Sequence, residues 1–127
     1  MFGITTLPRP LNDLPGRPPR ALIQDRTRDS GAAWVRYGHL NWAAVEPTEG
    51  HIRWPALAAI EKDLAGLSAR GLKVQVTLFG TPAWARVQAD SFCGPIKPVK
   101  YAAFARFAGQ MVNHFKQAPY NVRKWEV

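Results

Sequence analysis

Arg36 is the residue whose chemistry asks most of its surroundings. It sits in Trp34-Val35-Arg36-Tyr37, a run of aromatic and β-branched residues that reads as a strand. A guanidinium is almost never buried alone, because an isolated charge costs several kcal/mol to take out of water. Arg36 therefore points to solvent at a sheet edge or faces a carboxylate. Glu126 is a second charge inside a strand-like run, Val122 to Val127, and is either a surface residue or an inward partner for a basic group. Trp42 and Trp84 fall on segments that follow strands. An exposed indole offers a flat apolar face with a polar edge, which suits the C–H face of a sugar ring and equally suits packing under a loop. His39, three residues after Arg36, is the histidine placed to line a pocket. His51 and His114 make no metal spacing with it, and His114 reads as a surface residue of a helix. Glu46 and Glu49 lie in a Pro/Gly turn and read as turn or helix-entry groups. Cys93 is the only cysteine, a loop thiol that excludes an internal disulfide framework and an all-cysteine zinc site. No metal and no cofactor is expected from these residues.

The elements that must position these side chains follow from periodicity. Phe2 to Thr5 reads as a short strand, and residues 6–20 hold five of the eleven prolines and read as loop. Arg20 to Ser30 reads as a helix with a thin apolar face, closed by Gly31. The strand from Trp34 to Tyr37 is followed by a long loop over 38–53. Leu57, Ile60, Leu64 and Leu67 then form one helical stripe behind Pro55, closed by Gly71. Residues 72–79 alternate apolar and polar as a strand does. A loop over 80–98 leads to a second stripe of Tyr101, Phe104, Ala108, Met111 and Phe115, ended by Pro119, and Val122 begins a last strand. The order β-α-β-α-β-α-β implies an α/β fold with a parallel sheet, because parallel neighbours need a crossover. A doubly wound sheet with a nucleotide would need a Gly-rich phosphate turn, and the sequence has none. In a (β/α)8 barrel the chemistry sits on the loops after strands, which here are the long ones. Trp34 and Trp125, inside strands, read as core.

Composition narrows the class further. The chain has 127 residues, 46% of them hydrophobic, which is enough to bury a core. Its net charge is +8, but the seventeen basic residues are dispersed and interleaved with acids, so no nucleic-acid partner is expected. The apolar runs are short and no membrane partner is expected. The first ten residues carry two prolines and an arginine, so no signal peptide reads there.

Taken in order, the motifs resemble a known group. Trp34-Val35-Arg36-Tyr37, then Trp42-Ala43-Ala44-Val45-Glu46-Pro47-Thr48-Glu49-Gly50 and Trp54, resemble the second βα unit of clan A glycoside hydrolases. Gly71 to Ala85, with Thr77-Leu78-Phe79-Gly80-Thr81-Pro82-Ala83-Trp84, is similar to their third strand and its loop. Tyr101 to Ala108 followed by Val122 to Val127 is similar to the third helix and the start of strand four. The cellulase-like family 5 and the xylosidase-like family 39 are the nearest groups, with family 42 β-galactosidases sharing the Trp…Glu-Pro…Gly pattern. Family 5 tends to carry a histidine at the end of strand three, where this sequence has Thr77-Leu78-Phe79-Gly80.

The resemblance implies an incomplete fold, the N-terminal half of a (β/α)8 TIM barrel over residues 1–127, and a retaining β-glycosidase as the whole protein. Such an enzyme needs two carboxylates, and this sequence has no evident pair. The resemblance places the acid/base Glu just beyond Val127 and the nucleophile in the missing half, and a barrel needs roughly 250 residues. The 127-residue piece is then expected to be catalytically inert. By the same resemblance Arg36, Trp42 and Trp84 bind substrate, with Arg36 contacting the nucleophile, and Glu126 is structural; His39 joins the substrate-binding set from its position after Arg36. The expected partner is a carbohydrate of plant or bacterial type, the piece is expected to self-associate through open barrel edges, and the parent is expected outside the cytoplasm. Two alternatives stay open: a non-catalytic glycan- or nucleic-acid-binding module using exposed Trp and basic surface, and a complete small α/β protein whose strand order imitates the barrel.

Overall fold

The structure is a computed structural model that describes residues 3–5, 16, 18–91 and 94–127. Most of the proline-rich loop read over 6–20, and Cys93, lie outside the described residues. The elements in chain order are β1 (Gly3–Thr5), α1 (Arg20–Asp29), β2 (Trp34–Asn41), a one-turn helix α2 (Trp42–Val45), a 3-10 turn (Trp54–Leu57) leading into α3 (Ala58–Ala69), β3 (Lys73–Phe79), α4 (Tyr101–Phe115) behind a second 3-10 turn (Pro98–Lys100), and β4 (Lys124–Glu126).

The four strands form one sheet in the order β1-β2-β3-β4 and every pair is parallel. Strand order that follows chain order, with a helical crossover each time, is the arrangement of a (β/α)8 barrel; a doubly wound sheet reverses order at its switch point. The chain therefore has the fold of half a TIM barrel. One sheet face is apolar: Val35, Tyr37 and Leu40 of β2 and Val74, Val76 and Leu78 of β3 are buried with Ile60, Leu64 and Leu67 of α3 and Phe107, Met111 and Phe115 of α4. Alternation then sends Arg36, Gln75, Thr77 and Glu126 to the opposite face, the one a closed barrel turns inward.

Three sequence expectations change. The loop expected over 38–53 begins later, because β2 runs on to Asn41 through a register shift between Tyr37 and Leu40. Asn41 then caps α2 by accepting from the Ala44 amide at 3.4 Å. The stripe on α4 loses its first member and gains two: Tyr101 is exposed, Ala103 and Phe107 join the buried Met111 and Phe115, and Phe104 and Ala108 pack at the edge. Trp34 is not a core residue of the apolar face; it lies in register with Lys73, and the ammonium groups of Lys73 and Lys124 sit 5.6 and 4.5 Å from its ring centroid. Trp125 does pack against the core, as expected.

The helix α1 is held mainly by polar groups. Gln24, its one buried residue, donates to the Asp63 carbonyl of α3 at 3.2 Å. Arg70 donates to Asp25 at 2.7 Å and to Gln24 at 3.0 Å. A Cβ on Gly66 would come within 2.3 Å of the Gln24 amide oxygen, so this glycine permits the close approach of α1 and α3.

Candidate active-site face

The inward face of the sheet carries a charged cluster that bridges three strands. Arg36 Nε on β2 donates to Glu126 Oε2 on β4 at 2.7 Å, across β3. The same oxygen accepts from Thr77 Oγ1 at 2.9 Å and from Gln75 Nε2 at 3.4 Å. The register explains the meeting: Arg36 lies beside Gln75, and Thr77 beside Glu126, so all four project from one face within two residues of each other. Of the two placements open to Arg36 and to Glu126, the structure takes the paired one, though both side chains keep contact with solvent, at 49% and 37% exposure.

Arg36, then Thr77, hold the Glu126 carboxyl down from its ordinary 4.5 to about 2. A depressed carboxylate stabilises the fold above its unfolded value and loses that contribution as pH falls toward the folded one. The docking of β4 on β3 is therefore expected to loosen between about pH 4.5 and 2. Glu126→Gln is expected to flatten this acid limb, because it loses above pH 5 the protection that the native pairing supplies there, as read by hydrogen exchange of residues 124–126 against pH. An identical acid limb in the variant contradicts the pairing as its cause.

At the C-terminal ends of the strands the loops are tied together through Glu46. This carboxylate is 0% exposed. Oε2 accepts from Trp42 Nε1 at 2.7 Å; Oε1 accepts from the Gly50 amide at 2.7 Å and from Arg106 Nη2 of α4 at 3.0 Å. The Glu46 carbonyl accepts from Trp84 Nε1 at 3.1 Å. One residue thus joins its own turn, the loop after β3 and α4, which is a larger task than the turn role expected of it. Lys100 adds a second tie, donating to Glu49 at 2.5 Å with its ammonium 5.6 Å from the Trp84 centroid. Gly80 supplies a third: its carbonyl accepts from the Ala43 amide at 2.9 Å, its φ is +77°, and a Cβ there would meet the Asn41 side chain at 2.2 Å. Glycine is the residue that fits both demands.

The four residues expected to bind substrate occupy different places. Arg36 is on the inward face. His39 is buried, edge-on to the Tyr37 ring at 4.8 Å. Trp42 is 2% exposed, under Trp84, Phe104 and Phe107. Trp84 is half-buried on the loop after β3, with its ring 5.3 Å from Trp42. His114 is not a free surface residue: Nε2 lies 2.7 Å from Glu61 Oε1, and Trp54, Phe115 and Tyr120 surround its ring. The expectation missed Glu46 as an organiser; the signal available was the spacing of Trp42, Glu46 and Gly50, which sets an indole N–H and a turn amide around one carboxylate. Among the described residues, no three His, Cys, Asp or Glu side chains gather as a metal site, and no helix is long and apolar enough to cross a membrane.

Comparison with known proteins gives a consistent likeness. No family model matches the chain. Over 57 residues, 45% of its length, it is 42% identical to a β-galactosidase of Thermus sp, of which that segment is 8%. A family 39 glycoside hydrolase from Bacteroides cellulosilyticus superposes on 98% of the chain with a TM-score of 0.74 and 17% identity. An exo-β-1,4-mannosidase from an Opitutaceae bacterium superposes on 98% with a TM-score of 0.69 and 19% identity. The chain spans 23% and 24% of those two proteins and a smaller share of the curated relative. The resemblance to clan A glycoside hydrolases read from the motifs therefore holds in fold along nearly the whole chain.

Proposed function

We propose that this chain is the strand-one-to-four portion of a (β/α)8 retaining β-glycosidase that hydrolyses O-glycosidic bonds of an oligo- or polysaccharide, with β-galactosides the first substrates to try. The observation that carries the proposal is the likeness of fold to glycosidases over 98% of the chain. The galactoside choice rests on the sequence match to a β-galactosidase.

In a retaining reaction one carboxylate attacks the anomeric carbon while another protonates the departing oxygen, and water then releases the sugar. Arg36, on the inward face beside Glu126, is the cation that would favour the anionic form of a nucleophile supplied by a later strand. Glu126 is the one acidic residue in the described strands. Its depressed pKa leaves it without a proton to donate at neutral pH, so its part is to anchor Arg36. Trp84 forms the wall of the site on the loop after β3, Trp42 supports that wall from beneath, and His39 supports β2 at its bulge. The catalytic pair belongs to further βα units, and the 127 residues alone are inert.

Hydrolysis of aryl β-glycosides tests this, with the first-formed anomer read by NMR. A chain carrying the remaining four βα units is expected to turn over with retention, and the 127 residues are expected to give no turnover. Turnover by the 127 residues, or inversion by the longer chain, overturns the proposal.

A further inference from the structure

Phe79 is an aromatic residue outside the core, at the C-terminal end of a strand. Along β3, Val74, Val76 and Leu78 are buried against the helices, so Lys73, Gln75, Thr77 and Phe79 share the inward face. Phe79 is 39% exposed, at the last position of the strand, in register with Asn41. Thr77 lies about 6–7 Å down the strand from it, and through Thr77 Phe79 stands over the Glu126–Arg36 pair. Its backbone is fixed on the C-terminal side, where the Ala43 amide donates to the Gly80 carbonyl at 2.9 Å and Asn41 closes against Gly80.

A large apolar ring left partly open two residues along the strand from Thr77, on the face that holds the carboxylate and guanidinium, is a specific combination. It fits a ligand with one C–H face and a rim of hydroxyl groups: the ring covers the C–H face, and the polar groups meet the hydroxyls. We propose that Phe79 is the stacking platform for the pyranose ring of the substrate, above the Thr77–Glu126–Arg36 cluster. This rests on the glycosidase reading and deepens it, since that reading gives the wall to Trp84, with the buried Trp42 beneath it, and assigns no residue to the end of β3. Phe79 sets a preference for sugars whose ring presents a continuous C–H face, as a β-galactopyranoside does on the side away from its axial hydroxyl.

Saturation-transfer NMR with methyl β-D-galactopyranoside on the 127-residue chain, run beside hydrolysis by the longer chain, tests the proposal. Saturation is expected on the C–H protons of one ring face. Phe79→Ala is expected to reduce it about five- to tenfold, the effect of roughly one aromatic contact, and Phe79→Tyr is expected to keep it. The exposure of Phe79 predicts unchanged far-ultraviolet circular dichroism in both variants. No saturation in the parent chain, or equal saturation in Phe79→Ala, overturns the platform. Hydrolysis by the longer chain with Phe79-independent binding overturns the platform alone, whereas Phe79-dependent binding without hydrolysis overturns only the enzymatic reading.

Discussion

Replacing Glu46 by alanine is expected to lower the stability of the chain by about 3 kcal/mol. The carboxylate is 0% exposed, and its removal leaves the Trp42 indole N–H and the Gly50 amide without acceptors. Each orphaned donor costs roughly 1–3 kcal/mol when water cannot reach it. Arg106 adds less, because its side chain is 45% exposed and can turn to solvent. With a urea slope of about 1–3 kcal/mol per molar, the midpoint should fall by roughly 1–3 M. Glu46→Gln, which keeps one acceptor oxygen, should lose about a third as much. The Trp84 indole donates to the Glu46 backbone carbonyl, which neither substitution removes. The alanine variant should therefore shift tryptophan emission mainly through Trp42. A loss under about 1 kcal/mol for alanine would contradict Glu46 as the tie between the loops.

The second large effect is expected at Asp63, and it reports on α1. Asp63 is fully buried in α3, accepts from the Tyr37 hydroxyl at 2.7 Å and forms an ion pair with Arg20 at the start of α1. Burial, then Asp63, push the Tyr37 phenol far above its ordinary 10.0, so it remains a donor throughout the usable pH range. Removing one partner of a buried pair strands the other and costs about 3–5 kcal/mol. Arg20 is 16% exposed and escapes in part, which puts Asp63→Ala nearer the lower figure. The loss should concentrate in α1, because that helix buries only Gln24 and has few apolar contacts to fall back on. Hydrogen exchange should accelerate in residues 20–29 more than in α4. Uniform acceleration across the sheet would contradict a polar attachment of α1. Asp63→Asn, which still accepts from Tyr37, should lose less.

Sequence legibility followed the kind of force involved. The α3 stripe of Leu57, Ile60, Leu64 and Leu67 is buried as its spacing required, because a period set by apolar burial is written in the residues themselves. The alternation over 72–79 gave β3, and element order gave the parallel sheet. On α4 the stripe holds from Phe104 to Phe115 and fails at Tyr101, whose amphipathic ring fits the helical period and yet stays in solvent. Strand β2 outruns the expected Trp34 to Tyr37, because tertiary pairing with Leu78 and Phe79 carries it through a polar-aromatic stretch that reads as loop.

The site was legible where chemistry forces a partner. An arginine in an apolar strand and a glutamate in another are each costly alone, and they meet at 2.7 Å. It was not legible where one residue type serves two roles. Trp42 and Trp84 were equally suited to stacking and to packing, and Trp42 lies under the rings of Trp84 and Phe107. Glu46 reads as an ordinary turn acid, because only Trp42 and Gly50 of its partners are close in the chain, while Arg106 and Trp84 reach it from distant segments.

Reading the gene beyond codon 127 tests the central claim most directly, because it does not depend on guessing the right sugar. The proposed barrel predicts that strand four continues from Trp125-Glu126-Val127 into Asn-Glu-Pro. It also predicts four further βα units, with a second glutamate on strand seven. An open reading frame that continues without that motif, or that stops before more strands can close the barrel, would contradict a retaining glycosidase built on this sheet.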